Sequence, residues 1–239
     1  MTLILALACK NGIVMASDGQ ITAMSSSGPV RFPSVKIREI GAFTLWSGSG
    51  ELGFIQKIEE AIEGFPIELK NAGLEQIRPQ IIRAIHSIRA ESLGRHRALY
   101  GKEEGASFAD VLFGDYKGQI PRILHIDRDC NDEWLHEFGY AATGIGDAFA
   151  YTILQNYEPR YISVDAGKVL AFRVIGDAIK IGAFGLGEPI DIWSITADDK
   201  EVVKSGCVNT TEMAAIRDTC AAWRQAEVET FQNISGRRL

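Results

Sequence analysis

The sequence lacks any long hydrophobic run and any excess of positive charge. No apolar stretch approaches the ~20 residues that a membrane-spanning helix requires, and no basic segment precedes the first apolar residues, as it would in a secretory signal. With 31 acidic against 25 basic residues, the net charge is −6, which disfavours binding to nucleic acid or to an anionic membrane surface. We therefore expect a globular cytoplasmic protein with neither nucleic acid nor membrane as a partner.

Cysteine and histidine are few and widely spaced. The 4 cysteines form no CxxC pair and the 4 histidines form no HExxH motif, so no recognisable metal-ligand spacing is present. A glycine-rich phosphate loop of the Walker type is also missing. We accordingly expect no metal, no cofactor and reduced thiols, and any ATP-dependent unfolding would come from a partner chain.

The most informative residue is Thr2, which follows the initiator Met1. Aminopeptidases remove methionine when its neighbour is small, and this would leave a threonine with a free α-amine. That amine has an ordinary pKa of ~7.7–8.0. It can serve as the base for the hydroxyl nucleophile of the same residue. Taken alone, threonine in second position is common and indicates little.

Two predicted strands bring an acidic residue next to Thr2. Residues 2–9 form an apolar run, residues 10–12 (Lys-Asn-Gly) are typical of a two-residue type I′ turn, and residues 13–17 continue as the partner strand. This strand ends at Asp18. Antiparallel pairing through the turn places Asp18 beside Thr2.

A third predicted strand, residues 35–40, alternates apolar with charged side chains and carries Lys36. An ammonium near Thr2 would lower the pKa of the α-amine by like-charge repulsion, and Asp18 would offset the cost of burying the lysine. Asp18 as a turn residue and Lys36 as a solvated strand residue are the alternative interpretations. The order of the three residues favours a catalytic trio.

Further motifs follow in a fixed order. Besides the opening hairpin they are the segments 17–22, 36–40, 44–50, 140–146, 163–167 and 189–193. Together these motifs resemble the proteasome β-subunit group of N-terminal-nucleophile hydrolases, from residue 2 to about residue 196. The segment 17–22 (Ser-Asp-Gly-Gln-Ile-Thr) is particularly similar to HslV, the peptidase of a bacterial two-component protease.

The resemblance implies roles for individual residues. Thr2 is the nucleophile, Asp18 anchors the lysine and Lys36 modifies the pKa of the amine. The oxyanion is stabilised by the backbone amide of Gly48, with Gly50 as the competing assignment. Candidate substrate-binding residues are Gln20 and Thr22.

The resemblance also implies a reaction and an assembly. The reaction is hydrolysis of peptide bonds through an acyl-enzyme, inside a self-assembled homo-oligomeric ring. Such a chamber admits peptides or unfolded protein chains, and it leaves room for an ATP-dependent unfoldase as a partner.

Three positions depart from the pattern of active family members. Ile145 stands where they have a serine, and alignment puts Ala183 and Leu186 where they have an aspartate and a serine. Apolar side chains thus replace groups that handle protons near the amine.

Three interpretations stay open after these departures. The chain is a threonine peptidase, or a catalytically inactive assembly or binding subunit that keeps Met1, or an N-terminal-nucleophile amidohydrolase acting on a small amide. We favour the peptidase because the trio is intact and because no precursor segment is expected before Thr2.

The remaining pattern predicts an α+β protein with two sheets in one domain, residues 1–239. Predicted helices lie at 51–63, from 74 past 88 with Pro79 inside, at 147–156, at 163–181 and, at the C-terminus, at about 209–232. Predicted strands lie at 108–113, 120–126, 134–142 and 190–196, with a polar loop at 95–105. This order fits a four-layer αββα sandwich.

Overall fold

The computed structural model describes residues 2–25, 28–182, 185–197 and 203–235. In chain order its strands are β1 (Leu3–Cys9), β2 (Gly12–Asp18), β3 (Gln20–Ser25), β4 (Gly28–Pro33), β5 (Arg38–Ile40), β6 (Thr44–Gly50), β7 (Ala109–Lys117), β8 (Ile120–Ile126), β9 (Asp132–Trp134), β10 (Tyr140–Gly144), β11 (Ile190–Ala197) and β12 (Val203–Cys207). Its α-helices are α1 (Leu52–Glu63), α2 (Ile67–Lys70), α3 (Leu74–Tyr100), α4 (Asp147–Leu154), α5 (Val164–Ile181) and α6 (Thr210–Ser235).

Across these ranges the strands form two five-stranded sheets and one two-stranded ribbon. The first sheet has the spatial order β10-β1-β2-β11-β12 and the second β5-β6-β7-β8-β9, while β3 pairs with β4. Neighbouring strands run antiparallel throughout. The predicted opening hairpin is therefore the centre of the first sheet.

The two sheets face each other through an apolar layer. Ile4 and Met15 of the first sheet pack there with Leu45, Leu112 and Ile123 of the second. All five side chains are fully buried, and each such burial stabilises the fold by ~1.5–3 kcal/mol. The sheets are therefore the two inner layers of the molecule.

Helices cover the outer face of each sheet. Leu3, Leu5 and Leu7 of β1 share a buried core with α4, α5 and α6, and Trp46 and Phe113 of the second sheet pack with α1 and α3. The predicted four-layer αββα sandwich is confirmed. Because both faces of β1 are covered, the strand is apolar at every position, and the sequence shows a continuous run there.

The hairpin turn at residues 10–12 is present but differs in type from the prediction. Neither Lys10 nor Asn11 has a positive φ, which a type I′ turn requires at both central positions. Tertiary contacts hold the turn: the Lys10 amide donates to the Ile162 carbonyl at 2.9 Å, and the Asn11 side chain accepts from the Val164 amide at 2.9 Å.

The predicted strand at 134–142 is two strands in different sheets. β9 ends at Trp134 in the second sheet, a 3-10 turn spans His136–Phe138, and β10 starts at Tyr140 in the first sheet. Gly139, with φ of 81°, supplies the left-handed conformation that the reversal needs. The apolar pattern does not mark this crossing, because both strands contribute to buried layers.

Several other helix and strand boundaries differ from the predicted ones. The predicted loop at 95–105 is helical up to Tyr100, where Gly101 in the left-handed conformation ends α3. The prediction for residues 35–40 holds only from Arg38 onwards, because Lys36 lies in the segment before β5. The short edge strand β12 was not predicted. The C-terminal helix, predicted at about 209–232, spans Thr210–Ser235.

The two sheets approach each other closely at Gly114, and a substitution there tests this approach. A β-carbon added at Gly114 of β7 would lie 2.8 Å from Ile13 Cγ2 and 3.3 Å from Met15 Cγ, both on β2 of the facing sheet. We expect Gly114→Ala to lower the free energy of unfolding by about 1–3 kcal/mol through overpacking, measured by denaturant titration.

Gly94→Ala is the matched control for that substitution. Gly94 lies within α3 and nothing stands within 4 Å of an added β-carbon, so alanine should stabilise the helix by ~0.5–1 kcal/mol. If Gly114→Ala unfolds at the same denaturant concentration as the unsubstituted protein, the close approach of the sheets at this point is wrong.

Candidate active site

The structure brings the three residues of the predicted trio into contact. The Lys36 ammonium donates to Thr2 Oγ1 at 3.2 Å and to Asp18 Oδ1 at 2.6 Å. Asp18 is fully buried and Lys36 is 6% exposed. A single cation therefore links the threonine hydroxyl to a buried carboxylate.

Backbone amides from three separate segments hold the Asp18 carboxylate. Leu3 N–H donates to Oδ1 at 3.0 Å, while Gln20 N–H and Gly187 N–H donate to Oδ2 at 3.3 and 3.4 Å. Hydrogen bonds from backbone N–H groups to a carboxylate are charge-assisted and stronger than neutral ones. The carboxylate is thus a fixed counter-charge at the end of β2.

The backbone of Lys36 is fixed from the second sheet. Its carbonyl accepts from the Ser47 hydroxyl at 2.8 Å and from the Arg38 guanidinium at 3.0 Å. Lys36 precedes β5, so these two contacts replace the strand pairing that the sequence predicts there. They aim the side chain from the second sheet towards Thr2 on the first.

Burial controls the electrostatics of the lysine. It lowers the pKa of the Lys36 ammonium, and attraction to Asp18 opposes that shift without reversing it. A weaker opposing contribution comes from Asp191 on β11. Burial raises the pKa of the Asp191 carboxyl, while hydrogen bonding from the Lys36 backbone and the charge of its ammonium act the other way.

Sequence reasoning missed Asp191. It pairs with Ser17 in the register of β2 and β11, and its Oδ2 atom is buried with no hydrogen-bond partner among the residues that the structure describes. The available signal was a lone carboxylate between Ile190 and Ile192, which interrupts an otherwise apolar strand.

Thr2 lies between two cavities that share it and Gly50. The first cavity has a volume of about 260 Å³ and is lined by Thr2, Ile21, Ser34, Val35, Lys36, Arg38, Gly48, Gly50, Leu52 and Ile55. The second has a volume of about 580 Å³ and is lined by Thr2, Ser49, Gly50, Asp110, His125, Arg128, Ala142, Thr143, Gly144, Ile145, Asp147 and Tyr151. Both cavities mix apolar and polar groups. The first has Ile21, Leu52 and Ile55 beside two cations, and the second adds the acidic residues Asp110 and Asp147.

Gly48 and Gly50, the two alternatives for the oxyanion donor, both line the first cavity. A β-carbon at Gly48 would lie 3.0 Å from Ile55 Cγ1, so a larger residue would press on α1. Gly50 has φ of 135°, a conformation that L-residues rarely adopt. Both positions require glycine, for different reasons.

Gln20 and Thr22 lie on β3, next to the trio. The Gln20 side chain packs against the backbone of Gly187, and Ile21 rather than Gln20 is in the wall of the first cavity. Thr22 pairs with Arg31 on β4, and its side chain is outside the described part of the chain.

The three departures from the family pattern have different surroundings. Ile145 is 51% exposed, lines the second cavity, and its amide donates to the Thr2 carbonyl at 2.9 Å. Leu186 is buried in the core under α4 and α5. Ala183 lies outside the described residues.

Over the described ranges, no three histidine, cysteine, aspartate or glutamate side chains are placed to hold a metal ion together. None of the helices there has the length and apolar character needed to cross a bilayer.

Sequence comparisons agree with this geometry. A family model for proteasome subunits matches residues 2–193. Proteasome subunit beta 2 of Pyrococcus furiosus is 27% identical over 194 residues, which cover 80% of this chain and 85% of that protein. Proteasome subunit beta of Archaeoglobus profundus is 27% identical over 192 residues, 80% of this chain and 83% of that one.

Solved structures share the fold at lower identity. The Gly-1 mutant of Anbu from Hyphomicrobium sp. strain MC1 superposes with a TM-score of 0.69 at 16% identity, over 97% of each chain. A chain from the helical assembly of the Anbu complex of Pseudomonas aeruginosa gives a TM-score of 0.72 at 13% identity, over 95% of this chain and 96% of that one.

The buried ion pair yields a stability prediction. Asp18→Asn removes the counter-charge but keeps a side chain of the same shape, leaving the Lys36 cation buried and unpaired. We expect the free energy of unfolding at pH 7 to fall by about 3–5 kcal/mol, measured by denaturant titration.

Asp129→Asn provides the same substitution at an exposed pair. Asp129 is 69% exposed and pairs with Arg89 at 2.8 Å, and such pairs contribute less than about 1 kcal/mol. Equal effects of the two substitutions would contradict the burial of a charged pair beneath Thr2.

Proposed function

The chain belongs to the proteasome subunit family, and on that premise we propose that it is a threonine-type peptidase subunit whose nucleophile is Thr2 after removal of Met1. The observation that carries the proposal is the 3.2 Å contact between the Lys36 ammonium and Thr2 Oγ1, with Asp18 behind the lysine at 2.6 Å. A cation in that position favours deprotonated forms of both groups of Thr2.

The proposed reaction is acyl transfer followed by hydrolysis. Thr2 Oγ1 attacks the carbonyl carbon of the peptide bond, and the α-amine of Thr2 takes the hydroxyl proton. The amine returns this proton to the departing nitrogen, the carbon–nitrogen bond breaks, and an ester links Thr2 to the acyl part of the substrate. Water, deprotonated by the same amine, then attacks the ester and restores the hydroxyl.

Backbone amides are proposed to stabilise the oxyanion in both steps. Gly48 is our assignment, with Gly50 as the competitor, because both line the cavity that contains Thr2 and Lys36. Loss of one such donor typically costs ~10²–10³ in turnover. A glycine lets the substrate carbonyl approach the backbone closely.

The first cavity is proposed to bind the substrate side chain on the acyl side of the cleaved bond. Its walls contain Ile21, Leu52 and Ile55. Arg38 also faces it but forms an ion pair with Glu59 on α1. Burying apolar area contributes ~25 cal/mol per Å², so we propose a preference for apolar side chains. Contacts from Gln20 and Thr22 stay predictions.

We also propose that copies of the chain assemble around an inner chamber in the cytoplasm. The archaeal relatives are proteasome subunits, and one fold neighbour comes from a helical assembly. Repeated head-to-tail contacts close into a ring or continue as a helix, depending on the rotation between copies. Peptides or unfolded chains would be the substrates, and an unfoldase a separate partner.

One observation favours an inactive subunit as the second candidate. Ile145 and Leu186 offer no hydroxyl to the amine, and Leu186 belongs to the apolar core. In that case Met1 would stay attached and block the amine. The remaining alternative, hydrolysis of a small amide, has no comparable observation in its favour.

Intact mass spectrometry tests the nucleophile. We expect the purified protein to lack Met1 and to gain one adduct per chain with a peptidyl epoxyketone, a reagent that bonds to both the hydroxyl oxygen and the amine nitrogen. Thr2→Ala should abolish the adduct, while Thr219→Ala, at an exposed threonine of α6, should keep it. Retained Met1 without an adduct would instead favour the inactive subunit.

A charge variant tests the first cavity. Glu59→Gln removes the counter-charge of Arg38, so a cation becomes available to the substrate. We expect the hydrolysis rate for glutamate relative to leucine before the cleaved bond to rise by about two- to fivefold, as for one partly exposed ion pair, measured with fluorogenic peptides.

Glu60→Gln is the control for this variant. Glu60 is the exposed neighbour of Glu59 on α1, and it should leave the glutamate-to-leucine ratio unchanged. An unchanged ratio in Glu59→Gln as well would mean that the substrate side chain binds elsewhere.

A further inference from the structure

A pair of buried hydroxyls joins the two sheets close to Thr2. Ser49 Oγ of β6 and Thr143 Oγ1 of β10 are 3.0 Å apart, and the two residues are only 4% and 3% exposed. The bond crosses the gap between the sheets at the end where Thr2 lies. Further inside, the same gap is filled by apolar side chains.

The hydroxyl pair has unused hydrogen-bonding capacity. Each hydroxyl has one proton and two acceptor lone pairs, and the mutual bond consumes one proton and one lone pair. No other hydrogen bond to either hydroxyl is found in the described part of the chain. One proton and three lone pairs are therefore available to a group in the adjoining cavity.

That cavity is the second one, and Thr2 lines it together with Ser49 and Thr143. Lys36 lies on the other side of Thr2, in the wall of the first cavity. Ile145, which also lines the second cavity, has no side-chain donor or acceptor. The hydroxyl pair therefore shares a cavity with Thr2 and offers there the hydroxyl groups that the side chain of Ile145 lacks.

Several other polar groups of this cavity already have hydrogen-bond partners. Asp110 accepts from the Arg128 side chain at 2.8 Å and from its amide at 3.2 Å. The Tyr151 hydroxyl bonds to the Ala142 backbone. His125 differs: its Nε2 is 3.9 Å from Asp110 Oδ1 and has no hydrogen-bond partner among the described residues.

We propose that the Ser49–Thr143 hydroxyl pair is a positioning element, which accepts a hydrogen bond from the Thr2 α-amine and donates one to the hydrolytic water. An accepted N–H bond turns the amine lone pair towards Thr2 Oγ1. The proposal rests on the proposed function, since it needs Thr2 with a free amine. It assigns to Ser49 and Thr143 the orienting contact that the apolar side chain of Ile145 does not provide.

The proposal predicts a specific pH effect. A hydroxyl acceptor favours the ammonium form of the amine over the neutral form, so removing the acceptor lowers the pKa of the amine. The alkaline rise of reactivity would then start at lower pH. The titratable and charged groups around Thr2 are Asp18 and Lys36 of the trio, Asp191 near the lysine, Arg38 in the first cavity, and Asp110, His125, Arg128, Asp147 and Tyr151 in the second. None of them is altered in the test.

The experiment measures the rate of epoxyketone labelling of Thr2 against pH, with Met1 removal checked by mass. We expect Thr143→Val and Ser49→Ala to lower the plateau rate by about three- to tenfold, the effect of one hydrogen bond, and to move the midpoint to lower pH. Thr143→Ser keeps the hydroxyl and should retain the original rate and midpoint. Ser49→Ala removes only one atom and decides the matter if Thr143→Val does not fold.

Thr44→Val separates positioning from structure. Thr44 is a fully buried threonine on the same strand as Ser49, bonded to Asp115 at 2.6 Å and absent from both cavities. Loss of the Thr44 hydroxyl should lower the melting temperature of the protein without moving the pH midpoint of Thr2 labelling. If the Thr143 and Ser49 variants behave in the same way, or label like the unsubstituted protein, the positioning role is overturned while the proposed function stands.

Two further outcomes are decisive. An unsubstituted protein that keeps Met1 and takes no label overturns the proposed function, and the positioning role with it. Ile145→Ser adds a hydroxyl to the same cavity. If the Ser49–Thr143 pair already orients the Thr2 amine, this substitution should raise turnover by less than about threefold. A gain of tenfold or more would show that the contact is missing in the natural protein.

Discussion

The site depends on one interaction, the buried ion pair between Lys36 and Asp18. Neither charge tolerates burial alone, so the pair fixes the relative position of every segment that contributes to it. Backbone amides from the start of β1, from β3 and from the segment before β11 converge on the carboxylate. The lysine comes from the edge of the second sheet. Thr2 is thereby held where its hydroxyl contacts the Lys36 ammonium.

The layer between the sheets changes character along its length. It is apolar around Ile4 and Leu112 and becomes polar at Ser49 and Thr143, where Thr2 opens into two cavities. The first cavity, with Ile21, Leu52 and Ile55 in its wall, is the one proposed to bind a substrate side chain, and the second, with Ser49 and Thr143, is the one proposed to hold the hydrolytic water. In this proposal Thr2 contacts the substrate in one cavity and the hydrolytic water in the other.

The sequence predicted the features that rest on local pattern. The opening hairpin followed from an apolar run, a short turn and a second strand, and its pairing placed Asp18 near Thr2. The contact with Lys36 required the family resemblance, since a strand lysine at position 36 is usually solvated. Features that depend on tertiary contacts were not predicted from the sequence. The turn at Lys10 and Asn11 is held by distant backbone groups, and the crossing within segment 134–142 depends on pairing of its two ends with different sheets. The Ser49–Thr143 bond joins residues 94 positions apart.

The most direct measurement is the pKa of the Thr2 α-amine, followed by NMR titration of the processed protein. We expect the pKa of this amine to lie below the ordinary ~7.7–8.0, because the Lys36 ammonium repels the protonated amine. In Lys36→Met the pKa should return upwards, while Lys57→Met, at a half-buried lysine paired with Glu91 on the helical side of the second sheet, should leave it unchanged. The same pKa in all three proteins would contradict a role for Lys36 in preparing Thr2 for attack.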